Sequence, residues 1–446
     1  MKQSLRTTFA ERMSYGGYFL GQNLVFAFVT QFLTVFYTDQ VGIAPLAVGT
    51  LFLVARVWDA VNDVLLGVVV DRSNFRGGKF KPWINATIFI MPIVSIAVFV
   101  NPEIGGTGNL VYAYITYILW GMVYTVSDVP IFAISAVMTD NVDERVRIIS
   151  IGRLAAGIAF IISGVVAAPI IASLGWSTTT IIMMGVAFAV MIPVRFLVKE
   201  RVVYQRTERV TFKSMIEAVT RNTYLMIFYL AFIIINGLNT SGVVGVFFAT
   251  YNLGNFELFS LINFTSIAPI LILPIFVPAL VKSLGKKRLF LILAGISVVA
   301  GLIQYFVGYQ SFPAFLVLNA LRTIGVMSPG ILMGLFSADC AEYGAYVTGK
   351  RNEGITFSIQ TFSTKLGLAF GGFIGTALLG VFGYVANVEQ TQGALDGIWI
   401  MMTLVPTAGL AVAMVIIGLF YRLKESDVQR MINEMKIAGE TGTTTH

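Results

Sequence analysis

Histidine and cysteine are almost absent from this chain: of 446 residues, one is histidine and one is cysteine. Cys340 has no second cysteine to pair with, so no internal disulfide can form. His446 is the last residue, which leaves no imidazole for a metal centre, a proton relay or a Ser-His-Asp triad. Charge is scarce as well. Lys, Arg, Asp and Glu make up 12% of the residues, against the ~25% usual in soluble domains. These shortages exclude a soluble enzyme, a nucleic-acid reader and a disordered scaffold. The net charge of +7 would point to nucleic acid in a soluble chain, but its placement here reads as membrane topology.

What the chain has in excess is apolar surface, 57% hydrophobic and 13% aromatic residues. Apolar runs lie near 13–38, 45–70, 82–101, 109–133, 150–172, 177–199, 222–250, 258–281, 287–308, 312–336, 354–382 and 394–421. Each meets the ~20 residues that a helical crossing needs, and none shows the alternation of barrel strands. The expectation is an all-α polytopic membrane protein with 12 transmembrane helices. Met1 to Arg12 is charged and leads into the first run without a small-residue cleavage site, as expected of a retained span.

Basic residues set the orientation. The even connections and the two tails hold 25 of the 30 Lys and Arg; the exceptions are Arg56, Arg153, Arg195, Arg322 and Lys365. The odd connections hold none. Both termini are therefore expected in the cytoplasm. The longest polar stretch divides the spans six and six: residues 1–199 form one half, 200–221 a cytoplasmic linker, 222–421 the other half and 422–446 a tail. The loop Gly67…Asp71-Arg72…Gly77-Gly78-Lys79 has a degenerate echo in Gly285-Lys286-Lys287-Arg288. That echo suggests a duplicated six-span unit with a substrate site between halves near the midplane, as in major-facilitator transporters.

The sharpest motif is Arg56-Val-Trp58-Asp59-Ala-Val-Asn62-Asp63 in the second span. Asp59, Asn62 and Asp63 share one helix face. Carboxylates inside hydrocarbon mark ion or substrate paths, and carboxylate and amide oxygens suit a hard cation. The plainer alternative is a structural network in which Arg56 neutralises Asp59. In the fourth span Trp120, Tyr124 and Asp128 are spaced by four, stacking two rings above a carboxylate. Sugars are bound by this combination, although aromatics alone more often pack. Arg153 and Lys365 suit either an interfacial anchor or a cavity; Lys365 is deeper in its span. Arg322 is mid-span with no role beyond a charge lock against another helix.

Weaker matches carry no function. Gly344 to Arg351 resembles a phosphate-binding loop but has Arg351 where Ser or Thr must meet magnesium. Gly17…Gly21 and Gly371…Gly375 are close-packing motifs, and Pro269, Pro274 and Pro278 mark kinks.

Longer stretches carry a resemblance: Ser14-Tyr15-Gly16, Phe36-Tyr37-Thr38-Asp39, Gly49 through Asp63, Gly78-Lys79-Phe80-Lys81-Pro82-Trp83, Thr116 through Thr125 with Asp128 and Pro130, Gln360-Thr361 with Lys365, and Gly383 through Gln390. The chain resembles the glycoside–pentoside–hexuronide cation symporters of the major facilitator superfamily, nearest the melibiose permease branch. The resemblance implies a cation site at Asp59, Asn62, Asp63 and Thr125. It implies a sugar cavity lined by Tyr124, Asp128, Arg153, Thr361 and Lys365, with Trp120 beside them. Asn23 and Phe132 complete the expected sugar site but depart from the melibiose-type pattern: Gln22-Asn23 stands for Lys-Asp, and Phe132 for Trp. Asn23 is shared with the glucuronide carriers, but those have asparagine at the position of Asp128. Retaining Asp128 favours a neutral glycoside or pentoside.

The expectation is thus a symporter of a bacterial inner membrane, driven by sodium (or a proton or lithium) as the transported coupling ion. Its other partners are a small sugar and the lipid bilayer; no cofactor, resident metal, nucleic acid or enzymatic activity is expected, and a monomer suffices. A hexuronide carrier and a lysolipid or lipid transporter of the same fold are the alternatives.

Overall fold

The computed structural model describes residues 6–73, 75, 77–202, 212–348 and 353–441. Residues 203–211, within the expected linker, lie outside them, as do Lys350 and Arg351. Apart from one bridge between Phe75 and Gly78, all regular structure among the described residues is helical. The helices are α1 (Phe9–Val35), α2 (Pro45–Arg72), α3 (Lys81–Val98), α4 (Gly106–Met138), α5 (Val142–Met191), α6 (Pro193–Leu197), α7 (Phe212–Arg221), α8 (Thr223–Gly237) and α9 (Ser241–Phe247). They continue with α10 (Phe259–Leu284), α11 (Lys286–Val307), α12 (Phe312–Thr348), α13 (Glu353–Val381), α14 (Gln392–Phe420) and α15 (Glu425–Thr441).

Ten segments are long and apolar enough to cross a membrane. One of them, Asp143–Leu197, counts twice. At 1.5 Å per residue its 55 residues would run about 80 Å if straight, well over twice the ~30 Å of hydrocarbon. Instead the chain breaks at Gly175, whose φ of 76° suits only glycine. It then reverses: Ile151 from one arm and Val190 from the other both lie against the Gly16–Gly17 stretch of α1. The 28-residue α2 completes twelve crossings; Arg56, Asp59 and Asp63 lower its hydropathy. The structure adds two helices to regions read only as polar, α7 in the linker and α15 in the tail.

The described residues cluster into two compact units. The first comprises Met1–Arg206, Val243–Phe264 and Thr376–Ile398; the second Thr207–Gly242, Thr265–Gly375 and Trp399–His446. In the first unit α1 is the most buried of the apolar crossings. A Cβ at Gly17 would sit 2.8 Å from the Val190 carbonyl oxygen, and one at Gly21 2.6 Å from that of Ala187, so these glycines let two backbones touch. Thr8 and Glu11 cap α1 reciprocally, and Glu11 also pairs with Arg201 at 2.6 Å. Glu144, whose amide is capped by Asn141, accepts from the backbone and hydroxyl of Thr7 and from the hydroxyl of Thr139.

A third carboxylate closes the loop after α2. Glu200 accepts from the backbone amides of Lys79, Phe80 and Lys81 at 2.7–2.8 Å, next to Gly78 at φ 112°. Lys81 donates to the Val198 carbonyl at 2.8 Å. The second unit repeats the device. Glu425 accepts from the Lys286 amide at 3.0 Å beside Gly285 at φ 75°, and Lys287 donates to the Gly418 carbonyl at 3.0 Å. The loop echo in the sequence thus has a physical content: a carboxylate satisfies the free amides of a helix N-terminus.

The second unit is built on rings, with Phe228 stacked on Phe336 at 4.6 Å and Tyr421 edge-on at 5.1 Å. Arg322 is 1% exposed and is held by amide oxygens, donating to Gln304 Oε1 at 3.0 Å and Asn319 Oδ1 at 2.9 Å. The charge lock expected of it is a lock onto neutral amides.

Candidate functional site

The first unit brings α2 and α4 together at Asp59. This carboxylate is 6% exposed, and its Oδ2 accepts from Arg56 Nη1 at 3.0 Å. Its other oxygen faces α4: a Cβ built on Gly121 would lie 2.8 Å from Asp59 Oδ1. Gly121 therefore makes room for the charge. One turn further along α4, Thr125 is buried and its hydroxyl donates to the Gly121 carbonyl at 3.2 Å, leaving its lone pairs available to a cation. Asn62, one turn from Asp59, is 3% exposed with no partner for Nδ2. Rotating that amide presents its oxygen instead, and a buried, unsatisfied amide beside a carboxylate suits an oxygen-seeking ion. Asp63 belongs to α2, but its side chain lies outside the described residues.

Sequence reasoning misses Gly121 as a functional position, because nothing there distinguishes it from other span glycines. If Asp59 holds a coupling cation, Gly121→Ala is expected to weaken its binding. Overpacking costs ~1–3 kcal/mol, which at ~1.4 kcal/mol per decade is about 5- to 100-fold in apparent affinity. The sodium dependence of uptake measures this; an unchanged half-saturating concentration would detach Gly121 from the site.

Along the same helix, Asp128 is half-buried, and its Oδ1 accepts from Gln22 Nε2 of α1 at 3.1 Å. Gln22 is fully buried. Its neighbour Asn23 instead donates to the Phe19 carbonyl at 2.9 Å, tying its amide to its own helix. Trp120 packs rather than presents a ring face. It is 2% exposed, its Nε1 donates to Ser95 at 3.1 Å, and Phe26, Tyr117 and Tyr124 lie around it with centroids at 5.6–6.0 Å. Tyr124 is half-buried at the end of that stack, with Phe26 at 4.8 Å. Arg153 is exposed and holds its guanidinium 5.4 Å from the centre of Phe132, which meets Phe19 edge-on. Thr361, exposed, and Lys365, half-buried, stand one turn apart on α13 in the second unit.

Twelve apolar crossings make this a polytopic membrane protein, and the family and relatives it matches are transporters and not enzymes. The chain belongs to the MFS/sugar transport protein family, whose profile matches residues 14–425. It is 34% identical to an uncharacterized symporter, YnaJ, of Bacillus subtilis, over 97% of this chain and 95% of that one. An isoprimeverose transporter of Lactiplantibacillus pentosus is 30% identical (97% and 92% covered). A glucuronide carrier protein homolog of Escherichia coli is 31% identical (94% of each). Among solved structures, the nucleoside transporter NupG superposes with a TM-score of 0.67 at 12% identity, covering 93% of this chain and all of that one. That likeness speaks for the fold.

Proposed function

We propose that the protein is a sodium-coupled symporter, with a proton or lithium as alternative coupling ion, that brings a neutral glycoside or pentoside across a bacterial inner membrane. The observation that carries this reading is the sharing of α4. Gly121 meets Asp59 of α2 and Thr125 bonds back to the Gly121 carbonyl, while Tyr124 and Asp128, on the next turns, carry the sugar-binding chemistry. A cation held at Asp59, Asn62, Asp63 and Thr125 orders the backbone that bears Tyr124 and Asp128. By linkage, sugar then raises cation affinity by the same factor. Two six-helix halves, residues 1–199 and 222–421, work by alternating access, each carrying its own carboxylate-capped loop. Arg153, Thr361 and Lys365 supply hydrogen-bond donors to hydroxyls.

One observation favours a second reading, a hexuronide carrier: the exposed Arg153 guanidinium, which a sugar carboxylate could meet in a fork geometry. Uptake of labelled glycosides, pentosides and hexuronides into energised vesicles, with and without sodium, separates the readings. Sodium-dependent accumulation of a neutral sugar supports the first, and accumulation of hexuronides alone the second. Movement of a lysolipid with no sugar accumulated would remove both.

A further inference from the structure

The first unit contains a polar cluster that the cation and sugar sites do not use. After α1 the chain makes a π turn, Phe36–Gln40, and after α9 it makes another, Phe248–Asn252. Their sequences run in parallel, Phe-Tyr-Thr-Asp-Gln-Val-Gly and Phe-Ala-Thr-Tyr-Asn-Leu-Gly. Their hydrogen bonds do too. Val41 donates to Phe36 and Leu253 to Phe248, each at 3.1 Å; Ile43 donates to Tyr37 and Asn255 to Ala249, each at 2.9 Å. Gly42 and Gly254 come next, at φ 74° and 66°. Asp39 and Tyr251 therefore occupy equivalent positions in two copies of one device.

These equivalent residues bond to each other. Asp39 Oδ2 accepts from the Tyr251 hydroxyl at 2.7 Å, and Oδ1 from the Tyr384 hydroxyl at 2.5 Å and from Thr38 at 2.6 Å. Tyr384 also reaches the Tyr251 oxygen at 3.1 Å, and Asn387, at φ 60°, donates its side-chain amide to the Asp39 carbonyl at 2.5 Å. Tyr384 is 4% exposed and packs edge-on against Phe247 at 5.1 Å. Its hydroxyl pKa is raised, by burial first and then by the Asp39 charge, so it remains a donor. The odd connections carry no lysine or arginine, and hydroxyls take the place of a base here. Each π turn is the last turn of its helix, and the hydrogen bonds above join the two across their ends.

We propose that Asp39, Tyr251 and Tyr384 are gating residues: a carboxylate–phenol latch between the two π turns that holds the odd-connection side of the transport path closed. The inference rests on the alternating-access reading, but it concerns the conformational balance and not the cargo. Breaking the latch leaves one side of it short of partners in the closed state, the hydroxyls in Asp39→Asn and the Asp39 carboxylate in the double Phe variant, whereas water satisfies them in the open one. The closed state alone is therefore weakened.

Spin labels at Thr107→Cys and Glu389→Cys, both exposed on this side, report the separation by pulsed electron resonance without any substrate. Asp39→Asn, and separately Tyr251→Phe with Tyr384→Phe, keep shape and ring packing and so preserve the fold. Each is expected to raise the ratio of long to short distances about tenfold, given charge-assisted hydrogen bonds of ordinary strength. Distance distributions unchanged in both variants would overturn the latch, whatever cargo the protein carries. A shift seen in a protein that accumulates no sugar would leave the latch standing and remove the symport reading.

Discussion

Asp59→Asn is expected to abolish cation-driven accumulation, by about 100-fold or more, while the protein still inserts and folds. The carboxylate is 6% exposed, lies 3.0 Å from the Arg56 guanidinium and presents its second oxygen towards Gly121. Removing one member of a buried pair costs ~3–5 kcal/mol because the other charge is left uncompensated, and a cation site loses its main ligand as well. The effects separate experimentally. A purely structural pair predicts a lower melting temperature and an equal loss of all transport, coupled or not. A cation ligand predicts that sugar exchange down its own gradient survives while sodium no longer stimulates it. Arg56→Gln supplies the contrast, since it removes the same ion pair but leaves the carboxylate; sodium stimulation should persist there. If Asp59→Asn retains sodium-stimulated accumulation, Asp59 belongs to a structural network.

The fold is legible in the sequence because hydropathy and basic loops report physical constraints directly. Twelve apolar runs must become helices in hydrocarbon, where each backbone group has to be satisfied internally. Even α2 can be read, despite its charges, because its flanking apolar residues extend past 20. Helix ends are less legible. The apolar run 312–336 continues as helix to Thr348, because hydropathy measures the bilayer and not the hydrogen-bond ladder. Hydropathy is equally blind to the π turns, which differ from α only in the partner of each amide, although the Phe-x-Thr spacing preceding Gly42 and Gly254 is there to be compared.

At the site, residue types that are costly in a membrane stand out: Asp59, Asp128, Arg153. The roles of their neighbours are not visible in sequence. Gly121 acquires meaning only when α2 lies against it, and Gln22, a departure from the melibiose-type pattern, only when α1 brings it to Asp128. The spacing of Trp120 suggests a sugar platform, but spacing fixes a helix face and not which neighbours cover it. Ser95, from α3, takes its N–H in this structure.

Asp128 provides the second large effect, and it bears on which sugar is carried. In the proposed sugar site a carboxylate would accept from two sugar hydroxyls and repel an anionic sugar; an amide would accept more weakly and repel nothing. Hydrogen bonds to a charged group contribute ~1.5–3 kcal/mol each and neutral ones ~0.5–1.5, so weakening two of them costs ~2–3 kcal/mol, about one and a half to two decades of affinity. Asp128→Asn is nearly isosteric, and its oxygen can still accept from Gln22 Nε2, now at 3.1 Å from Asp128. Uptake of a neutral glycoside is therefore expected to fall about 30- to 100-fold, with its stimulation by sodium retained. Hexuronide uptake should hold or rise, because Arg153 remains beside Phe132 to meet the sugar carboxylate and the opposing charge is gone. The ratio of the two rates, measured in the same vesicles, is the deciding quantity, since misfolding lowers both and leaves it unchanged. A parallel fall in both substrates with full folding would mean that Asp128 orients the helix and does not touch the sugar.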